Sequence, residues 1–298
     1  MSIEQWIERV AEIRQHSSQG RRAPHKPLLM LYALGRLERG GRSQVTFAEA
    51  EEPLQDLLLA YGPPGTGATP QYPFRRLEND GLWTVDLTTD SNDPGESVTG
   101  LREFASGRFP DEFEAALADP TLRAAVAGFI LDTHFPPSLH PDLLAAVGLD
   151  VSPVIAGQVA TSRPRRDPRF RENVLMAYEY RCSFCGYDGH LDRGAIGLEA
   201  AHVRWHAFDG PDSVDNGLSL CTMHHKLLDQ GALGLTADHT ITVSQRFVGR
   251  GAASERYVLA LAGAEMVPPQ PGHPHPADEH IEWHKDEVFR GPARLAVA

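Results

Sequence analysis

Apolar positions fall first into helical spacing. Trp6, Val10 and Ile13 recur every three to four residues across residues 4–16, and Ser2 stands where it can cap the first turn. Leu28, Leu29, Leu31, Leu34 and Leu37 make residues 28–37 a second, largely apolar helix, with Pro27 in its first turn, where no N–H is needed. Thr46 caps a third helix running to Tyr61, and the glycines and prolines of residues 62–67 then form a loop. There the pattern changes. Tyr72-Pro73-Phe74-Arg75-Arg76-Leu77, Asn79-Asp80-Gly81 and Leu82-Trp83 read as strand, tight turn and strand. Helical spacing returns over residues 111–117 and 120–133, the latter through Leu122, Val126, Phe129 and Ile130, and residues 136–150 hold one more short helix. Further on the pattern predicts a helix at 173–180, a strand at 196–203, a helix at 225–229 and a strand or hairpin at 240–248. Residues 263–278, including His273 and His275, are loop, and 281–290 pack back as a strand or helix. No segment repeats another, and the class is α+β.

At 298 residues the chain can bury two cores. The division falls at residues 1–155, a basic linker at 156–169, and 170–298. Hydrophobic content of 41% and charged content of 23% are those of an ordinary soluble globular protein. No apolar run approaches the roughly 20 residues that span a bilayer. The amphipathic start, from Met1 to Trp6, is unlike a signal peptide. The formal net charge of −12 opposes indiscriminate binding to nucleic acid, but distribution matters more than the sum. Between residues 156 and 181, six arginines (163, 165, 166, 169, 171 and 181) face three acids (Asp167, Glu172 and Glu179), a local excess of three positive charges. A second basic knot is Arg21-Arg22-Ala23-Pro24-His25-Lys26, while acid gathers at 49–52, 86–96 and in the C-terminal third.

The chemistry-bearing residues concentrate in one stretch. All three cysteines lie there, as Cys182-x2-Cys185 and Cys221-x2-His224. Two such half-sites supply the ligands of a closed tetrahedral zinc, so these four residues are assigned to one structural Zn2+. Three cysteines all claimed by a metal suit a reducing cytoplasm, the expected location. Buried apolar cysteines beside a surface histidine are the bland alternative, and they leave the paired spacings without a reason. His202 ends the predicted strand, Asn216 lies in a turn and His225 opens a helix. With zinc pinning the ends of this stretch, the three can converge on a second site. A histidine beside a hard divalent cation can take a proton from water while the cation stabilises charge on a phosphoryl group. Nearer the N-terminus, His25 and Lys26 stand at the mouth of a helix, a natural phosphate site, with a solvated basic loop as the alternative. Tyr72 and Pro73 before two arginines suggest an apolar dimple rimmed with positive charge; the alternative is that Tyr72, Phe74, Leu82 and Trp83 are core.

The order His, Asn, His between zinc half-sites resembles the HNH, or ββα-metal, nuclease family over about residues 170–236. The resemblance implies that His202 is the general base, that Asn216 braces the loop or the base, and that His225 ligates a catalytic Mg2+ or Mn2+. Many members place Asp or His just before the base as a second ligand, whereas this chain has Ala201. Glu199 is available to supply the oxygen, at a spacing along the strand that lets it face away from His202. His206, beside Trp205 and Phe208, is a spare candidate. Pro24-His25-Lys26-Pro27-Leu28-Leu29, Tyr72-Pro73-Phe74 and Asp80-Gly81-Leu82-Trp83 are similar to the sulfur-binding domain of McrA-like type IV restriction endonucleases, over about residues 1–155. Those enzymes recognise phosphorothioated DNA and carry a C-terminal HNH domain. By that resemblance Tyr72 and Pro73 wall an apolar pocket for sulfur, His25 and Lys26 contact backbone or base, and Arg76, Arg102 and Arg108 are further contacts. Arg102 and Arg108 would flank a loop at 104–107.

The expectation is therefore a mixed helix/strand DNA-reading domain joined to a zinc-stapled ββα-metal HNH domain. Together they would form a modification-dependent endonuclease acting on double-stranded DNA that carries a phosphorothioate, with no membrane partner. One HNH site cuts one strand, which makes a homodimer attractive, although no stretch advertises an interface. The rivals are an HNH nuclease reading methylated DNA, a non-catalytic zinc-containing DNA-binding protein, and a zinc-held protein-interaction module.

Overall fold

Ser2 and Gln5 close a capping box on α1 (Ile3–Ala11), which turns Trp6, Ile7 and Val10 inward. Next comes α2 (His25–Gly40), whose residues 27–35 are all buried; it is apolar on every side and forms the axis of its unit. Gly41, at φ 68°, ends it in the left-handed conformation that glycine adopts without strain. β1 (Val45–Thr46) leads into α3 (Phe47–Tyr61), started by a second capping box between Thr46 and Glu49. Then follow α4 (Gln71–Arg76), a 3-10 turn at Leu77–Asp80, β2 (Thr84–Leu87), α5 (Val98–Phe104), β3 (Ala105–Arg108), α6 (Asp111–Ala116), α7 (Pro120–His134) and α8 (His140–Val147). The computed structural model describes residues 1–14, 23–64, 68–88, 97–150 and 167–295, in two compact units, Met1–Ser162 and Arg163–Ala298. Arg21, Arg22, Arg163, Arg165, Arg166, residues 65–67 and 89–96, and most of the 156–169 linker lie outside the described residues. Among those described, no helix is long and apolar enough to cross a membrane.

β3 is the middle strand of an antiparallel sheet ordered β1-β3-β2. Gly107 on it lies under Trp83, 2.4 Å from where a Cβ would stand, so the indole can rest on the strand only over glycine. From there a run of aromatic contacts ties the unit together: Trp6 to Phe113 at 4.7 Å between ring centroids, Phe113 to Phe109 at 5.2 Å, Phe109 to Trp83 at 5.8 Å, Trp83 to Phe74 at 5.6 Å and Phe74 to Phe47 at 5.1 Å. Two expectations are corrected. Residues 72–77 are helix and 3-10 turn, not strand, and the following strand begins at Thr84. Pro70 and Pro73 fall at the start and first turn of α4, where a helix tolerates proline. Residues 105–107 are strand rather than loop.

The second unit begins with α9 (Phe170–Ala177), earlier than the expected 173–180. Glu179 and Tyr180 follow at φ 52° and 54°, turning the chain sharply towards Cys182. A small hairpin of β4 (His190–Leu191) and β5 (Gly194–Ala195) precedes the central one, β6 (Leu198–His202) and β7 (Gly217–Cys221), in register from Leu198↔Cys221 to His202↔Gly217. Gly217 lets α9 close onto this hairpin, since a Cβ there would meet Val174 at 2.4 Å. α10 (Thr222–Asp229) continues directly from β7. A third hairpin, β8 (Leu233–Leu235) with β9 (Ile241–Val243), is followed by α11 (Ala252–Tyr257) and α12 (Asp278–Glu287). The last segment is thus a helix; Ile281 joins the core and His284 donates from Nε2 to the Leu228 carbonyl at 3.0 Å.

Candidate functional site

In the first unit, Arg14, Ala23, His25, Lys26, Thr69, Tyr72, Pro73, Arg76, Asn79 and Asp80 line one cavity of about 650 Å³. The helical geometry of α4 makes its wall. Phe74 points into the aromatic core, while Tyr72 and Arg76, one turn apart, stand together outside, the guanidinium 5.0 Å from the ring centroid. Tyr72 is 50% exposed, an apolar face presented to solvent. Lys26 Nζ is tied to Asp80 Oδ2 at 2.5 Å and to the Arg14 carbonyl at 2.9 Å, and Asp80 Oδ1 accepts the Arg14 N–H at 3.1 Å. This clasp fixes the start of α2 against the turn after α4 and balances the buried Asp80 charge. Burial pulls the His25 imidazole below its ordinary value, so it is neutral near pH 7.

In the second unit, the ligand atoms of Cys182, Cys185, Cys221 and His224 all lie within 4.8 Å of one another. His224 Nδ1 is 3.4 Å from Cys182 Sγ and 3.3 Å from Cys221 Sγ. Ligands at about 2.0–2.3 Å from a tetrahedral zinc stand roughly 3.3–3.8 Å apart, so the set fits that ion in donor type and spacing. His224 Nε2–H donates to the Tyr257 carbonyl at 2.8 Å, which fixes the tautomer that presents Nδ1 to a metal.

β6 delivers two more groups to opposite faces. Glu199 Oε2 accepts from His225 Nδ1 at 2.6 Å, and the other ring nitrogen, Nε2, lies 3.1 Å from Asp229 Oδ2. Burial alone would lower the His225 pKa, but Asp229 and Glu199 together hold it up, to about 10. On the other face His202 stacks on Phe170, centroids 4.1 Å apart and planes 19° apart, and its Nε2–H donates to Asp212 Oδ1 at 2.7 Å. Asn216 is fully buried and uses its whole amide on the loop before it: Oδ1 accepts the Arg204 N–H at 2.8 Å, and Nδ2 donates to the Arg204 and Pro211 carbonyls, each at 3.0 Å. Among the described residues, only the Cys3His group gathers three or more potential ligand atoms so closely.

A family model described as the ScoMcrA-like DNA sulfur-binding domain matches residues 3–152, half of the chain. The chain belongs to that family. A second model, HNH endonuclease, matches residues 182–236, so the sulfur-binding domain is joined here to a nuclease domain. Similar solved structures include the sulfur-binding domain of SprMcrA complexed with phosphorothioated DNA, 25% identical over 50% of this chain and 95% of that one at a TM-score of 0.41. The corresponding ScoMcrA complex is 24% identical over 48% and 95% at 0.40. The modification-dependent TagI restriction endonuclease is 27% identical over 47% of this chain at 0.32, and only 44% of its own length is covered. No curated protein matches the chain.

Five residues singled out in the sulfur-binding domain, His25, Lys26, Tyr72, Pro73 and Arg76, come together on the cavity. Arg102 and Arg108 do not: Arg102 forms a two-pronged ion pair with Glu51 at 2.5 and 2.7 Å, and Arg108 binds Asp86 and Asp111. In the HNH domain the four zinc candidates cluster, Glu199 meets His225, and Asn216 holds the loop rather than the base. His206 stands with its ring 5.9 Å from that of His202. Sequence reasoning missed three acids: Asp80, Asp212 and Asp229. The i,i+4 spacing of His225 and Asp229 on a helix was a usable signal. Asp212 sits in a bend and gave none, while Asp80 stood in the Asp80-Gly81-Leu82-Trp83 motif without a role of its own.

Proposed function

We propose that the chain is a type IV restriction endonuclease whose first unit holds double-stranded DNA at a phosphorothioate and whose second hydrolyses a phosphodiester bond nearby. The observation that carries this reading is the convergence of His25, Lys26, Tyr72, Pro73 and Arg76 on one cavity. Sulfur in place of a non-bridging oxygen is larger and more weakly hydrated, so Tyr72 and Pro73 favour it by desolvation, while Arg76 meets the remaining charge. His202 takes the proton of the attacking water, and Asn216 keeps the loop beside it in place. His225 Nδ1 and Glu199, which meet at 2.6 Å, would offer an imidazole and a carboxylate donor to a divalent ion, with Asp229 on the other ring nitrogen. Magnesium or manganese held there would stabilise charge on the phosphoryl group and the leaving oxygen. The Cys3His zinc holds the unit together, and two chains acting on one duplex account for a double-strand break.

The test is a gel-shift titration at fixed moderate salt with paired duplexes differing by one phosphorothioate of natural stereochemistry, followed by incubation with Mg2+ or Mn2+. The expected result is strong preference for the sulfur duplex, lost in Tyr72→Ala, and cutting of that duplex alone. Equal binding of both duplexes would discard the sulfur-reading assignment and direct the search to methylated DNA.

A further inference from the structure

Asp212 belongs to neither the zinc cluster nor the His202, Asn216, His225 set, yet its side chain is only 13% exposed and both oxygens are engaged. Oδ1 accepts His202 Nε2–H at 2.7 Å, and Oδ2 accepts the backbone N–H of Asp167 at 2.6 Å. We propose that Asp212 is a positioning residue for His202, aiming the imidazole through this hydrogen bond, with its own orientation set by the Asp167 N–H. The proposal rests on His202 being the general base.

A neutral imidazole carries one proton. A carboxylate at Nε2 draws that proton to Nε2 and makes Nδ1 the nitrogen that can accept one from water. The ring then has little freedom left. Phe170 fixes its plane by stacking, and Asp212 fixes its direction within that plane. Both restraints come from the short segment 167–170, through the Asp167 amide and the Phe170 ring, so a single stretch of backbone sets both. On the other side the Asn216 amide holds the loop from Arg204 to Pro211 that delivers Asp212. When the water proton reaches Nδ1, the imidazolium is already paired with a carboxylate and needs no rearrangement. His206, with its ring 5.9 Å from that of His202, cannot supply the negative charge that Asp212 does.

The experiment compares full-length wild type, Asp212→Ala and the isosteric Asp212→Asn. It measures kcat, KM and pH profile on phosphorothioated duplex, together with 15N NMR of the His202 imidazole, assigned by its loss in His202→Ala. Asp212→Ala should lower kcat about 100-fold with KM unchanged, the scale of one general-base contribution. The acid limb of its pH profile should move to lower pH, because an imidazolium without its carboxylate is a stronger acid, and the His202 resonances should lose their Nε2–H preference. Asp212→Asn has one acceptor where the carboxylate has two; with that oxygen on the Asp167 N–H its NH2 faces Nε2, so it should reverse the tautomer and leave the rate as low as in Asp212→Ala. A uniform loss of rate with the pH limb and the His202 resonances unmoved would make Asp212 merely structural and overturn the proposal, as would wild-type kcat in both variants. Failure of wild type to cut sulfur DNA with either ion would remove the endonuclease reading instead; unchanged His202 resonances in both variants would then overturn the positioning role independently.

Discussion

Tyr72 and Arg76 are neighbours because α4 is a helix, and in the proposed reading their spacing separates two contributions to binding: an apolar wall indifferent to salt and a cation that is not. His25 adds little charge, since burial keeps it neutral near pH 7, and Lys26 is matched by Asp80. Arg76→Gln should therefore flatten the plot of log affinity against log salt by about one phosphate contact, while His25→Gln leaves the slope unchanged. A salt series of gel shifts checks this. On the proposed reading, a dication at His225 displaces one of its two ring protons, which Glu199 and Asp229 accept. Because that group titrates near 10, Mn2+ affinity should rise with pH across the neutral range, by up to about tenfold per unit. Mn2+ titrations of cleavage at several pH values measure it, and His225→Asn should abolish the slope. The His, Asn and Cys residues of these sites were legible because spacing along the chain sets their chemistry. Asp80, Asp212 and Asp229 were not singled out, because a carboxylate is assigned a role by what the fold brings to it.

The elements were legible where burial follows one period. α1 and α3 show it, with the capping residues Ser2 and Thr46 marking their starts, while α2 and α7 are legible instead as long apolar runs buried on nearly every side. The 72–77 segment misled because aromatic residues around a proline suit a strand edge. Its helix comes instead from tertiary packing of Phe74 and Leu77, both fully buried. Seen as a strand, Tyr72, Phe74 and Arg76 would share a face; as a helix, only Tyr72 and Arg76 do, and the cavity depends on that difference. In the second unit the β6–β7 hairpin carries His202 and leads into α10 with His225, so its seating against α9 governs the site. Gly217→Ala would push a methyl group into Val174 and Phe170. It should destabilise the second unit by about 1–3 kcal/mol in urea unfolding and slow cutting by disturbing the Phe170–His202 stack. Cys182→Ser should lose bound zinc and the calorimetric transition of the second unit, while the first unit's transition survives.

For the whole molecule, the net charge of −12 leaves recognition to a few exposed cations and one apolar surface. Several described arginines are already committed to acids: Arg102 to Glu51, Arg108 to Asp86 and Asp111, Arg123 to Glu38, Arg169 to Asp167. These four arginines are held by acids of the same chain, which lowers what they can offer an ordinary duplex, and in the proposed reading the sulfur contact supplies the selectivity. On the proposed mechanism each chain has one nuclease site, with one His202 and one His225, and hydrolyses one phosphodiester bond per encounter. A double-strand break needs a second event, by another chain or after rebinding. On a supercoiled circle with one phosphorothioate site, nicked circles should accumulate before linear DNA, and linearisation should depend on protein concentration more steeply than nicking does. Agarose-gel time courses at several protein concentrations measure both rates. Linear product from the first time point, with both rates first order in protein, would mean that one binding event brings two nuclease sites to the duplex, as a preformed dimer does.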